Sequence, residues 1–314
     1  MQKKYLVTGV AGFIGSSIAR ALLAKGCDVR GVDDFSTGKR ENLAGMDAME
    51  FLHGDLTDAE VSARACAGVS CVFHEAAIPS VPRSVLDPIG CNHANVTGTL
   101  QLLNEARKAG VQRVVYAGSS SAYGNAPTLP KREDMIPRPL SPYAVSKLAG
   151  EYYMQAFASV YGMETVTIRY FNVFGPRQDP GSPYSGVISI FVDRILGGRP
   201  ISFFGDGSQC RDFVYVDNVV DANILAATRE GVSGRAYNVA CGRRTTLVEL
   251  ASLIERAAER TVERDFAEPR AGDIKESVAD IARARAELGY APVVDVEEGL
   301  RRLVRYVREA QPRA

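Results

Sequence analysis

The sequence predicts an α/β protein, a doubly wound parallel sheet with a smaller C-terminal α/β lobe, and three observations predict it. The first half repeats a short apolar or β-branched run, a loop and a stretch with helical spacing, the rhythm of βαβ units and a parallel sheet. Glycines at 9, 12 and 15 separate the first apolar run from the first helical pattern. Beyond residue 170 that regularity yields to a Gly/Pro-rich stretch at 175–186 and shorter elements.

Strands are expected at 5–8, 28–32, 49–53, 71–75, 113–117 and 164–170, each short and flanked by loop residues. Apolar residues recur at helical spacing over 13–25, 59–67, 96–109 and 143–161, and these helices are expected to cover both faces of the sheet. A charged helix is expected near 296–309. Strand-like runs at 212–216 and 236–239 are expected to rejoin the main sheet, so the two lobes interleave. One domain then spans 1–172 plus about 212–240, and the other about 173–211 plus 241–314. There is no internal repeat and no low-complexity segment.

The chain has 314 residues, 46% of them hydrophobic, enough to bury a substantial core. Lys plus Arg and Asp plus Glu both number 37, which gives no footprint for nucleic acid or an anionic membrane. No apolar stretch approaches the roughly 18 residues that span a bilayer. The start, Met1-Gln2-Lys3-Lys4 before Tyr5-Leu6-Val7, is too short and too broken by glycines for a signal peptide. A soluble cytoplasmic protein is expected. The six cysteines form no C-x-x-C pair and the three histidines are far apart, so no metal site is expected. The cysteines read as small buried hydrophobes in a reducing compartment.

Gly9-Val10-Ala11-Gly12-Phe13-Ile14-Gly15 follows an expected strand and opens an expected helix, the context that a dinucleotide-binding turn needs. The first glycine permits the tight turn, the second lets backbone amides approach a pyrophosphate, and the third lets helix and strand pack closely. The helix N-terminus adds partial positive charge. Asp33 ends the second strand 18 residues beyond Gly15, where a carboxylate accepts from an adenosine ribose and favours NAD over NADP. Asp55, Ala76 and Ala77 follow the third and fourth strands, at the strand ends where ligands bind in open α/β sheets. Asp55 also suits a helix cap.

The reacting groups lie in Ser141-Pro142-Tyr143-Ala144-Val145-Ser146-Lys147. Ser141 suits an N-cap and Pro142 a first helical residue, so a helix begins here. Tyr143 and Lys147 are then one turn apart on one face. An ammonium near a phenol lowers its pKa from about 10 toward working pH, as a general base at a hydroxyl requires. Ser119-Ser120-Ser121 closes an expected strand, and a serine hydroxyl there can orient the reacting oxygen toward Tyr143.

These motifs, with Arg169-Tyr170-Phe171-Asn172 before Gly175-Pro176, Arg211-Asp212, and Arg270 before Gly272-Asp273, resemble the extended short-chain dehydrogenases. Within them the chain is similar, over nearly its whole length, to the UDP-sugar 4-epimerases related to UDP-galactose 4-epimerase. The resemblance implies a Rossmann-type domain holding NAD, a lobe holding a UDP-sugar, and a homodimer formed through helix 96–109 and the helix starting at Tyr143. It implies Asp33, Asp34, Ser36 and Gly38 at the adenosine ribose and nearby phosphate, and Asp55 and Leu56 by the adenine. Ala76 and Ala77 would lie along the cofactor, Asn95 near its nicotinamide half, and Lys147 on the nicotinamide ribose. The family's catalytic Ser or Thr falls on Ser119, four before Tyr123, or on its neighbour Ser120. Asn172, Arg211, Arg270 and Asp273 would hold the substrate's nucleotide, the arginines on the diphosphate.

Similar dehydratases carry Thr-Asp-Glu where this chain reads Ser-Ser-Ser, and similar UDP-glucuronate decarboxylases carry a glutamate where Ser121 stands. An epimerase needs neither acid. In similar epimerases a tyrosine shortly after Arg-x-Gly-Asp walls the hexose pocket, and here that position is Ser277, which leaves room for an acetamido group. The implied reaction is 4-epimerisation of UDP-N-acetylglucosamine, UDP-glucose, or both, through a 4-keto sugar. The other readings are a dehydratase or decarboxylase of the same superfamily, and an NAD-binding regulator without chemistry, whose mark would be a lost tyrosine or lysine.

Overall fold

The computed structural model describes residues 3–178, 186–269 and 275–310. Strands β1 (Lys4–Thr8), β2 (Asp28–Asp33), β3 (Glu50–His53), β4 (Cys71–His74), β5 (Arg113–Ser119) and β6 (Glu164–Tyr170) alternate with helices α1 (Phe13–Ala24), α2 (Ala59–Cys66), α3 (Val81–Leu86), α4 (Pro88–Asn92), α5 (Gly98–Lys108) and α6 (Pro142–Tyr161). Short strands β7 (Asn172–Phe174), β8 (Ile201–Phe204), β9 (Cys210–Arg211) and β10 (Phe213–Tyr215) follow, with α7 (Val187–Leu196) among them and α8 (Val216–Thr228) behind. The chain ends with β11 (Arg235–Val239), β12 (Thr245–Thr246), α9 (Leu247–Ala258), β13 (Arg264–Ala267), β14 (Glu276–Ser277) and α10 (Val296–Ala310).

The central sheet runs β11-β6-β5-β4-β1-β2-β3, with every neighbouring pair parallel. The strand order reverses outward from β1, the doubly wound arrangement whose switch point opens a crevice at the strand C-termini. One face buries Val7, Ile18, Val115, Ile168, Val219 and Tyr237. The other buries Leu6, Val72, Leu102, Val114, Met154 and Phe157. A second apolar cluster, with Phe174, Phe191, Ile201, Leu250, Ile254 and Leu300, sits beneath α7, α9 and α10. Among the described residues no helix is long and apolar enough to cross a membrane, and the six cysteines are free thiols.

Two expectations are corrected. The run at 212–216 does not rejoin the main sheet: β10 pairs with β7 in a two-stranded parallel ribbon. Asp212, just before β10, is fully buried, and its carboxylate accepts from the Cys241 and Ala279 amides at 2.9 and 3.2 Å, which ties the start of the strand away from the main sheet. The helix expected at 96–109 begins its regular part only at Gly98, after a π turn, His93–Thr97, that continues from α4. That turn holds the Asn95 amide on both polar groups of Ile78 (Ile78 N to Oδ1 at 2.7 Å, Nδ2 to Ile78 O at 3.3 Å), a bond that compensates for the less regular ladder.

Candidate active site

The β1–α1 turn is set by steric limits. Gly9 has φ +62°, and a Cβ there would come within 2.8 Å of the Ala76 backbone; a Cβ at Gly15 would overlap the Gly9 carbonyl. Gly12 is the N-cap of α1, and among the described residues no side chain caps it, so the first-turn amides face the cleft as an anion site. The cleft, about 660 Å³, is lined by Gly9, Gly12, Phe13, Ile14, Gly15, Asp33, Asp34, Ser36, Asp55, Leu56, Ala76 and Ala77 toward one end and by Ser119, Tyr143, Lys147 and Tyr170 toward the other.

The adenosine-side acids are fixed by backbone amides. Asp33 accepts from Ala11 N and Phe35 N, both at 2.8 Å; burial raises its pKa while those amides oppose the shift. Asp34 accepts from Ser36 N at 2.8 Å and Asp55 from Thr57 N at 2.8 Å. The cap of α2 is Asp58, not Asp55. Gly38 packs against Asp33, where a Cβ would come within 2.9 Å of Oδ1. This donor and acceptor set, with an open helix N-terminus between its two ends, fits a dinucleotide. Asn95 stands behind the wall, 1% exposed, its Nδ2 also donating to Ser146 Oγ at 3.0 Å; it braces the cleft from outside the lining.

At the reacting end, Ser141 Oγ caps α6 by accepting from Ala144 N at 3.2 Å, with Pro142 in the first turn. Tyr143 and Lys147 both reach the cleft. Burial raises the Tyr143 pKa and a hydrogen bond from Ser119 pulls it down. Ser119 lines the cleft whereas Ser120 does not. The Ser119 oxygen accepts from Ser121 N at 3.1 Å and Ser121 Oγ at 2.8 Å. Lys147 is 4% exposed and its Nζ donates to the Ala117 carbonyl at 2.9 Å. Behind them, Arg169 donates to Glu151 on α6 at 2.6 and 2.9 Å and to Tyr123 Oη at 2.7 Å. This buried network locks the catalytic-helix candidate to the serine turn.

Asn172, Arg211 and Ser277 are not among the residues that line the cleft. Asn172 Nδ2 donates to Asp212 O at 3.3 Å and Arg211 Nη1 to Cys210 O at 2.9 Å. Ser277 stands opposite Arg211 in the β14–β9 register, so those two share one patch. Arg270 and Asp273 lie outside the described residues. Sequence reasoning missed Glu75, Tyr170, Arg83 and Arg177, which also line the cleft; the one available signal was an acid directly after a buried strand.

Residues 5–240 match the NAD dependent epimerase/dehydratase family. The UDP-glucose 4-epimerase of Mycolicibacterium smegmatis is 43% identical over 308 residues, covering 96% of this chain and 98% of its own. The structure of the Thermotoga maritima UDP-glucose 4-epimerase with UDP-glucose has a TM-score of 0.93 at 39% identity, covering 98% of this chain and 99% of that one. A UDP-N-acetylglucosamine 4-epimerase from Methanobrevibacter ruminantium, in complex with UDP-N-acetylmuramic acid, has a TM-score of 0.94 at 37% identity and covers 99% of each chain. With its glycine turn, Asp33 and the Ser119, Tyr143 and Lys147 cluster on one cleft, the chain belongs to the NAD dependent epimerase/dehydratase family.

Proposed function

We propose that the protein is an NAD-dependent UDP-sugar 4-epimerase, acting on UDP-N-acetylglucosamine and UDP-N-acetylgalactosamine, on UDP-glucose and UDP-galactose, or on both pairs. One observation carries the reading: Ser119, Tyr143 and Lys147 line the same cleft as a dinucleotide turn. The serine region around them lacks the Asp and Glu that water loss or decarboxylation requires. Relatives named for UDP-glucose and UDP-N-acetylglucosamine epimerisation support it. Gly9, Gly12, Phe13, Ile14, Gly15, Asp33, Asp34, Ser36, Gly38, Asp55, Leu56, Ala76 and Ala77 are assigned to the cofactor. Asn172, Arg211, Arg270, Asp273 and Ser277 are assigned to the UDP-sugar, with Arg211 beside Ser277 supporting a shared subsite.

In this reading Tyr143, as phenolate, takes the proton from the sugar 4-hydroxyl, because it is the cleft-facing base within reach of Ser119. Ser119 donates to the oxygen that carries developing charge. Lys147 keeps a positive charge by the phenolate and bonds the nicotinamide ribose. NAD, held by the glycine turn, Asp33 and Lys147, would supply a reversible hydride acceptor at the sugar C4, so the reaction would involve no net oxidation. Segment 1–172 with 212–240 is assigned to the cofactor, and the remainder to the sugar nucleotide. A cytoplasmic homodimer completes the proposal, supported by Val145 and Tyr152, which are exposed on α6.

Lys147→Met and Tyr143→Phe test the assignment. Each is expected to lower turnover by at least about 100-fold, the scale of positioned acid-base catalysis. Near-normal turnover in either would overturn it.

A further inference from the structure

The reaction above leaves one acid in the cleft wall unused. Glu75 follows β4 directly and lines the cleft with the reacting groups. Among the described lining carboxylates, Asp33, Asp34 and Asp55 accept from backbone amides. Glu75 is held by a phenol instead: Tyr170 Oη donates to Oε1 at 2.7 Å, and Asn223 Nδ2 donates to the Tyr170 oxygen at 2.8 Å. The phenol's other acceptor, Asn223 Oδ1, stands farther off at 3.1 Å, so the shorter of the two bonds goes to the carboxylate. A carboxylate withdrawn from water costs more than an aliphatic side chain would, so this one calls for a chemical account.

Strand register supplies the geometry. His74 pairs with Tyr116 in the β4–β5 ladder. The next residues along, Glu75 and Ala117, are therefore neighbours across strands spaced by about 4.8 Å. Ala117 is the residue whose carbonyl accepts from Lys147 Nζ at 2.9 Å. The ammonium is thus anchored on the backbone beside Glu75, with the Tyr116 ring centroid 5.1 Å away.

We propose that Glu75 is a positioning residue: a carboxylate, fixed by Tyr170, that holds the Lys147 ammonium in its charged form beside Tyr143. The proposal builds on the roles given above to Tyr143 and Lys147. Burial pulls the lysine pKa down and Glu75 opposes that shift; burial pushes Glu75 up, while Tyr170 and Lys147 oppose it. Before Tyr143 gives up its proton, the other groups around the ammonium supply less of the balancing charge, Cys91 being the next after Glu75 to oppose the shift. His74 on β4 is kept neutral by burial, and Tyr116 on β5, Tyr143 on α6 and Tyr170 on β6 are phenols raised by burial. Cys91 on α4 accepts from Asn95 at 3.4 Å, and Glu151 on α6 is spent on Arg169.

The test is a ¹³C NMR pH titration of the lysine Cε signals in the holoenzyme, with the Lys147 signal assigned by its loss in Lys147→Met. In Glu75→Gln, which keeps an oxygen for Tyr170, the Lys147 midpoint is expected to fall by about one pH unit or more. The alkaline limb of kcat should fall with it at unchanged KM, and Glu75→Asp should restore both. Tyr170→Phe, which weakens the hold on the carboxylate, should move the midpoint the same way by less. An unshifted Lys147 midpoint in Glu75→Gln overturns the proposal, as does a lower kcat with an unmoved pH profile. The NMR midpoint needs no turnover, so failure of this proposal is separable from failure of the epimerase reading.

Discussion

The Ser121 hydroxyl donates to the Ser119 oxygen at 2.8 Å, and the Ser121 amide donates to the same oxygen at 3.1 Å. A hydroxyl has two acceptor sites and one proton. With both acceptor sites engaged, the Ser119 proton is left for Tyr143 or a substrate oxygen, so Ser119 works as a donor. Ser121→Ala removes one of the two bonds that set this direction. We expect kcat to fall about tenfold, the scale of one weakened hydrogen bond to a charged group, at unchanged KM. Steady-state kinetics decide it, and a wild-type kcat would show that the amide alone suffices.

Asp33, at the end of β2, is assigned to the adenosine ribose, where an acid's charge favours a free hydroxyl over a 2′-phosphate. Asp33→Ser is expected to lower the NAD content of purified protein and to narrow the preference for NAD over NADP by about tenfold, near 1.4 kcal/mol. Chromatography of the released nucleotide and fluorescence titration measure both. An unchanged preference would remove Asp33 from the adenosine site.

His74 links pH to stability. It is 1% exposed, its ring nitrogens sit 2.8 Å from Thr8 Oγ1 and Thr99 Oγ1, and burial pushes its pKa down from 6.5 to about 3. The unfolded chain therefore binds a proton that the native state refuses. Its contribution is full above pH 6.5 and is lost as pH falls toward 3, at about 1.4 kcal/mol per pH unit. Urea unfolding across that window should show the slope in the wild type and lack it in His74→Asn. Equal slopes would mean that the imidazole charges in place.

Much of this architecture was legible in the sequence, for reasons that differ by element. The inner strands β4, β5 and β6 stand out because both faces are buried, so their side chains run largely apolar without strict alternation, whereas the edge strand β3 is only half-buried. Ser141 and Pro142 mark the start of α6 through cap chemistry that is local. Long-range partners were not legible: nothing near 212–216 announces that Asp212 reaches amides at 241 and 279, so β10 was expected in the wrong sheet. Asn95, expected near the nicotinamide half of the cofactor, bonds Ile78, Ser146 and Cys91, partners that its sequence neighbourhood does not announce. The sequence left Ser119 and Ser120 open because strand register, which sets Ser119 opposite Tyr170 at the end of β5, is not local information. Glu75 escaped notice because a single acid after a strand carries no spacing signature, and its partner Tyr170 is 95 positions away.

The most direct measurement is an NMR assay of the purified protein with UDP-N-acetylglucosamine and, separately, UDP-glucose, without added NAD. The account predicts that the matching galacto sugar appears with no net oxidation. It also predicts that Ser277→Tyr slows the N-acetylated substrate by at least about tenfold relative to the other, the scale of one misfitted group in a pocket. Conversion of neither sugar, even after NAD is supplied, or release of a 4-keto product in place of an epimer, would contradict it.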